Sequence, residues 1–530
     1  MPYDNAEALA ARYGAAYRWW VTIAGMVGVL AMVLSMTTVN VAVPDVMGAF
    51  GIGQDTAQWM SSAYTSSMTV GMVLNAWVVG VLGERRTFIT ALAVFSCGAV
   101  TGGTAPNEDV LILARVLQGF SSGVAQPLVM AIIFAVFPAD RRGMAMGVFG
   151  LGVVFAPAIG PTLGGLMIEF FNWRYVFFIA LPFCLAAAIL GALFMPTQPW
   201  PRSLPRFDWT GFILMCVGLL GLMTGFANGQ REGWDSGAIV LRLAVGAAAT
   251  VAFIAWDLRV EKPLLDVRMF ADRQFASAAI VAFIFGACML GSTYLVPVFV
   301  QTTQGFTPLV SGLMMMPAGL MLAVIFPVAG RLSDATPPAL MIMGGLLTFA
   351  AGFVALAGAD VDTTFWTLAV VTLVSRLGLG FINPSLNASS LKALPPERLR
   401  QGAGAVNFVR QLGGAFGTIL FVAFLENRAR FHAEALTATQ SFSNHTSDLL
   451  IAKVESLLLA AGLSANVRHG VALEHLGAML QAQSQTMAFQ DTFLLVAGTT
   501  LVALVPAYLL SRSQRRSTPV APVRMAAAAD

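Results

Sequence analysis

Along most of the chain, apolar residues come in unbroken runs rather than in alternation with polar ones. A run of some 20 residues crosses the ~30 Å hydrocarbon layer of a bilayer as a helix, whereas a barrel strand would be about ten residues long with a period of two. Read this way, the sequence predicts about 14 helical spans. They lie at 19–43, 57–82, 88–105, 110–137, 144–169, 175–195, 209–227, 238–256, 274–300, 308–330, 339–358, 364–391, 402–426 and 489–510. Polar residues 1–18 lead directly into the first run without a cleavage signal, so that span is expected to be retained.

The polar stretches between the runs set the orientation. With both termini inside, the inner loops collect Arg85, Arg86, Arg141, Arg142, Arg331, Arg398 and Arg400 together with most of the other basic residues. The outer loops keep only Arg174, Arg231, Arg428, Arg430, Lys453 and Arg468. This inward excess predicts cytoplasmic termini, consistent with an even span count. The one long polar segment, about 428–488, then faces outward as an amphipathic helical hairpin that docks a partner protein or rests on the membrane surface. It holds all four histidines, His432, His445, His469 and His475, but no cysteine or carboxylate at ligand-like spacing, so no metal site is expected.

Composition narrows the class further. Only 11% of the 530 residues are charged and 57% are hydrophobic, against roughly a quarter charged in a soluble domain. The net charge of +3 gives no footing for nucleic acid. Cys97, Cys184, Cys216 and Cys288 stand alone in apolar stretches and read as small buried hydrophobes. There is no GxxxxGK[ST] loop, H-E-x-x-H pair or nucleophile elbow, so neither an ATP-driven pump nor an enzyme is expected, and no cofactor.

The chain also repeats itself. Gly80-x-Leu82-x-Glu84-Arg85 after the second span returns as Gly330-x-Leu332-x-Asp334 after the tenth. Pro138-Ala-Asp140-Arg141 through Gly143 returns as Pro396-Glu397-Arg398 through Gly402, and Arg115 with Gly119 returns as Arg376 with Gly380. Offsets of roughly 250–260 residues, in order, mark a duplicated unit of six spans with two spans inserted between the copies. The expected division is a cytoplasmic tail 1–18, a six-helix bundle 19–196, two additional helices with their loops at 197–272, a second bundle 273–511 carrying the hairpin 428–488, and a tail 512–530. Paired bundles of this kind hold substrate at their interface near the midplane.

Several stretches carry a resemblance. The fifth span runs Gly147, Ala156, Pro157, Gly160, Pro161, Gly164, Gly165, with Ala156, Gly160 and Gly164 on one face and two prolines expected to bend the helix. Leu111-x3-Arg115-x2-Gln118-Gly119, the Gly80–Arg86 loop, Leu34 to Pro44, Asn172-Trp173-Arg174, and Arg410-Gln411-Leu412-Gly413-Gly414 join it. Together they resemble the major facilitator superfamily, in its 14-span drug:proton antiporter branch of the EmrB/QacA type. The resemblance implies an all-α polytopic membrane protein of two six-helix bundles plus two extra helices, alternating access, and multidrug efflux conferring antibiotic resistance. It also implies export from a bacterial inner membrane in exchange for protons, at times through a periplasmic membrane-fusion adaptor and an outer-membrane channel.

In that resemblance the fifth span is the antiporter motif, which limits proton leak, and Arg115 serves proton coupling. Gly80, Glu84, Arg85, Gly330 and Asp334 gate the inner face, with ion pairs as the expected latch. Ser35 stands where the branch has a carboxylate. No acid falls near a midplane, while Arg115, Arg376 and Arg410 lie within spans. A positive interior favours anionic or neutral substrates over permanent cations. The alternative to proton antiport is therefore an uncoupled or differently coupled transporter of organic or fatty anions. Thr38, Asn40, Asn75, Gln126, Asn383 and Asn387 are further candidates for a polar cavity lining, and 26 methionines suit adaptable apolar walls.

Overall fold

A computed structural model describes residues 6–52, 57, 59–197, 207–261, 263–392, 394–440 and 445–516. All regular structure among them is helical. Thirteen helices are long and apolar enough to cross a membrane, and Arg142–Phe170, equally long, takes the place of the fifth expected span. In chain order the crossing helices are α1 (Tyr17–Val41), α2 (Trp59–Leu82), α3 (Glu84–Gly103), α4 (Glu108–Val136), α5 (Arg142–Phe170), α6 (Ala180–Phe194) and α7 (Trp209–Glu232). They continue as α8 (Gly237–Asp257), α9 (Arg273–Thr302), α10 (Pro308–Ala335), α11 (Pro338–Leu356), α12 (Phe365–Lys392), α13 (Leu399–Ala438) and α14 (Ala465–Val502).

Helices α1–α6 pack as one bundle and α9–α14 as the other. Lipid is as apolar as leucine, so helices in a bilayer are held by close packing at small residues rather than by a hydrophobic drive. The glycines bear this out. A Cβ on Gly119 or Gly123 would stand within 2.1 Å of the α2 backbone, and one on Gly286 or Gly413 would meet the facing backbone of α13 or α9 at 2.0 Å. Asn107 caps α4 by accepting the Val110 N–H, and Asp272 caps α9 through the Phe275 N–H.

Burial separates centre from rim. The apolar window of α4 is 83% buried, whereas those of α7 and α8 are 22% buried. The added pair therefore lies at the rim, with Leu220, Leu241 and Val251 outward. It touches both bundles: Phe207 packs on Trp77 of α2 at 4.9 Å and Phe226 on Phe416 of α13 at 5.5 Å between ring centroids.

Two ends are distinguishable: a basic end, where α2, α4, α10 and α12 finish, and a hairpin end. The expected hairpin is present but is not a separate module. α13 runs on as a 40-residue helix, about 60 Å long and twice the hydrocarbon thickness. A helix over His445–Ala460 follows, and α14 starts at Ala465, well before the expected span at 489. That span itself is shared between α14 and a helix over Leu504–Arg516. Asp491 of α14 clasps α13 by accepting from Arg428 Nε at 2.6 Å and pairing with His432 Nε2 at 2.7 Å. His469 pairs with Glu455 at 2.7 Å. Among the described residues no cluster of three or more metal-ligating side chains forms.

Candidate substrate and coupling site

Arg115 is fully buried in the first bundle. Its Nε donates to the Met60 carbonyl at 2.9 Å and its Nη1 to Gln118 Oε1 at 2.8 Å. The guanidinium lies 4.3 Å from the Tyr64 ring centroid, a favourable cation–π approach in a dry interior. Tyr64 is fixed in turn by donating to the Met32 carbonyl at 2.9 Å and bonding Ser122 at 2.7 Å. Gln118 Nε2 then donates to Ser35 Oγ at 3.4 Å, so Ser35 ends a chain that begins at the guanidinium. Among the described residues Arg115 Nη2 has no hydrogen-bond partner. Thr38 is buried beside this chain, donating to the Ser35 carbonyl at 3.4 Å.

The second bundle treats its arginines differently. Among the described residues Arg376 reaches only the hydroxyls of Ser292 at 3.3 Å and Thr293 at 3.5 Å on α9. Arg410 of α13 sits among three asparagines. Its Nη1 is 3.3 Å from Asn383 Oδ1 and 3.5 Å from Asn387 Oδ1, and its Nη2 donates to Asn407 Oδ1. Asn387 Nδ2 donates to Asn383 Oδ1 at 3.0 Å, which fixes the i, i+4 pair expected on α12. Asn407 Nδ2 is 3.1 Å from Met130 Sδ on α4, tying the cluster to the first bundle. Arg376 and Arg410 each keep 8% exposure, against none for Arg115. Among the described residues no carboxylate lies within ion-pair distance of any of the three.

The basic end is sealed across the bundles, and here the expected latch needs correction. Among the described residues Asp334 at the end of α10 forms no ion pair. Its carboxylate accepts the backbone N–H groups of Gly143 at 2.6 Å and Met144 at 2.9 Å, at the N-terminus of α5. Free N–H groups and the helix dipole favour an anion there. Glu84 faces Arg400 of α13 at 3.9 Å, whereas Arg85, expected in the latch, donates to Thr197 within its own bundle at 3.2 Å. Gly80 is exposed on α2. Gly330 meets the Gly143 carbonyl so closely that a Cβ on it would stand 2.6 Å away, and a Cβ on Gly147 would stand 2.3 Å from the Phe326 carbonyl.

α5 thus uses its small residues on two partners. The Gly143–Gly147 end packs on α10 of the other bundle, while Gly160 and Gly164 receive Thr37 and Thr38 of α1. Ala156 is buried, and nothing stands within 4 Å of a Cβ on Gly165. α5 remains one continuous helix through positions 157 and 161; the side chains of Pro157, Pro161 and Asn40 lie outside the described residues. Gln126 lines a small pocket with Val29, Met32, Val33, Met36, Tyr64, Met68 and Ser122. Asn75 is fully buried, with neither amide atom partnered among the described residues. Asn407 and Arg400 were not singled out from sequence. Asn407 was findable as a polar residue three positions before Arg410 on the same helix face; Arg400 carried no such signal.

The sequence profile of the Major Facilitator Superfamily matches residues 25–418. The puromycin resistance protein pur8 of Streptomyces alboniger is 31% identical over 76% of this chain and 81% of its own length. A multidrug resistance protein B homolog of Mycobacterium tuberculosis is 28% identical over 92% and 89%, respectively. The lincomycin resistance protein LmrB of Bacillus subtilis is 29% identical over 76% and 84%. Among solved structures, the human organic anion transporter MFSD10 superposes with a TM-score of 0.60 at 15% identity, covering 93% of this chain and 99% of that one. The proton:xylose symporter XylE superposes at 0.57 and 13%, covering 93% and 95%. Both show the fold.

Proposed function

Because the chain belongs to the major facilitator superfamily, and is a multi-pass membrane transporter rather than an enzyme, we propose that it exports small amphipathic compounds by proton antiport. The bundles rock about the Arg410 cluster, exposing it alternately to the two sides. The observation that carries this reading is the asymmetric closure: the contacts joining the bundles gather at the basic end, around Asp334, Gly143, Gly147 and Gly330. Among the described residues Asp334 reaches two N–H groups across that seam, a contact able to form and break each cycle. Relatives named for puromycin, lincomycin and multidrug resistance support drug-like cargo.

The basic end faces the cytoplasm of a bacterial cell, with both termini there, in the inner membrane where that cell has two. The hairpin end faces outward, where α13 and α14 offer a platform for a periplasmic adaptor leading to an outer-membrane channel. The Arg115–Gln118–Ser35 chain couples proton movement to rocking through groups that bond it, since its guanidinium stays charged. Accumulation of a fluorescent substrate in everted vesicles tests the coupling. Uptake is expected to collapse when an acid-inside pH gradient is dissipated; accumulation that persists without the gradient would overturn antiport.

A further inference from the structure

We propose that the substrate carries a single carboxylate and that Arg410, in its asparagine cage, receives it; this deepens the export reading and rests on it. Arg410 lies eleven residues into α13 from its basic end, about 17 Å deep and therefore near the middle of the hydrocarbon. A charge at that depth faces a cavity or a partner. The protein's own partners for it are neutral amide oxygens, two of them held at 3.3 and 3.5 Å. The guanidinium fork matches a carboxylate bidentately. One cation among three amides balances one monoanion.

A second feature continues the path. Arg376 is seven residues from Asn383 on α12, two turns along the same face and about 10 Å nearer the hairpin end. Among the described residues it too rests on neutral hydroxyls alone, and it keeps a sliver of exposure. With the basic end sealed, this places a second cationic station on the way out. On the first bundle Met130 of α4 touches Asn407, so an uncharged thioether meets this cluster from the other side. A cation held by neutral amides on one bundle, met by a thioether from the other, fits an anionic headgroup on an apolar tail.

The test is equilibrium binding to the full chain in nanodiscs at neutral pH, with empty nanodiscs subtracted. Radiolabelled dodecanoate is compared with dodecanol and dodecyltrimethylammonium. Dodecanoate is expected to bind at least about tenfold more tightly than either, and Arg410→Gln to weaken it about 10- to 100-fold. Asn387→Asp, which places a carboxylate beside Arg410 without removing it, is expected to do the same and decides the matter should Arg410→Gln fail to fold. Equal binding of the ammonium compound, or dodecanoate binding indifferent to both variants, would overturn the proposal. Proteoliposome export is scored separately. Dodecanoate that binds as expected but is not moved would overturn transport and leave the site standing. Export of an uncharged or cationic compound without dodecanoate binding would overturn the site and leave transport standing.

Discussion

Arg115 and Arg376 hold equivalent places in the two bundles, four residues before a glycine that packs on a neighbouring helix, yet their surroundings have diverged. Arg115 is locked by a carbonyl, an amide and an aromatic ring, with no exposure. Arg376 rests on two hydroxyls at long distance. Both bundles keep the charge and surround it differently. In the first bundle the guanidinium organises α1, α2 and α4 through Met60, Tyr64, Gln118 and Ser35. In the second it is a charge left available. The same split separates the gating acids: Asp334 grips a helix end in the other bundle, while Glu84 faces a half-exposed arginine.

The sharpest way to break the comparison is to keep the charge and change its shape. Arg115→Lys replaces a planar fork by a point charge that cannot bond Met60 and Gln118 together while lying on Tyr64. Losing charge-assisted bonds worth about 1.5–3 kcal/mol is expected to slow transport as much as 100-fold. Arg376→Lys keeps what that site uses and is expected to stay within about threefold. Initial export rates at matched protein density in proteoliposomes check both. Equal losses would mean that the two arginines still do one job.

How much of this was legible depended on distance along the chain. Continuous apolar runs gave the spans, because a bilayer demands helices of fixed length. The repeat located Glu84 and Asp334, and intramembrane charge located all three arginines. Partners across the bundle interface left no trace in local pattern. Asp334 meets the N–H groups of Gly143 and Met144, which any sequence possesses, so the expectation of an ion pair there had nothing local to correct it. The hairpin's helices were visible, but their continuity with α13 and α14 was not, since no glycine or proline marks the membrane edge at Glu426 or Gln490.

The next largest effect is expected at Asp334. Asp334→Asn keeps the shape but removes the charge that two N–H groups and a helix N-terminus share. A loss of about 1.5 kcal/mol from the sealed state shifts the balance toward opening at the basic end roughly tenfold. Ser333, buried on the same turn, supplies the reporter. In a background without native cysteines, Ser333→Cys is expected to react with a membrane-impermeant maleimide from the basic side about tenfold faster when Asp334→Asn is present. Unchanged labelling would remove Asp334 from the latch.

Glu84→Gln closes the comparison with the smallest change. The pair with Arg400 spans 3.9 Å, with side-chain exposures of 18% for Glu84 and 36% for Arg400. A partly solvated pair in this geometry is worth at most about 1 kcal/mol, with salt reducing it further. Glu84 also opens α3 directly after Gly83, whose φ of 78° makes the turn into the helix and is untouched by the substitution. Arg85 cannot replace the lost charge, because it is held by Thr197 on the other side of the loop. The expected result is a rate within about threefold of the parent and labelling at position 333 nearly unchanged. If Glu84→Gln instead matches Asp334→Asn in both measurements, the two copies of the motif act alike. The seal would then depend on charge across the loops rather than on the grip of one carboxylate on the end of α5.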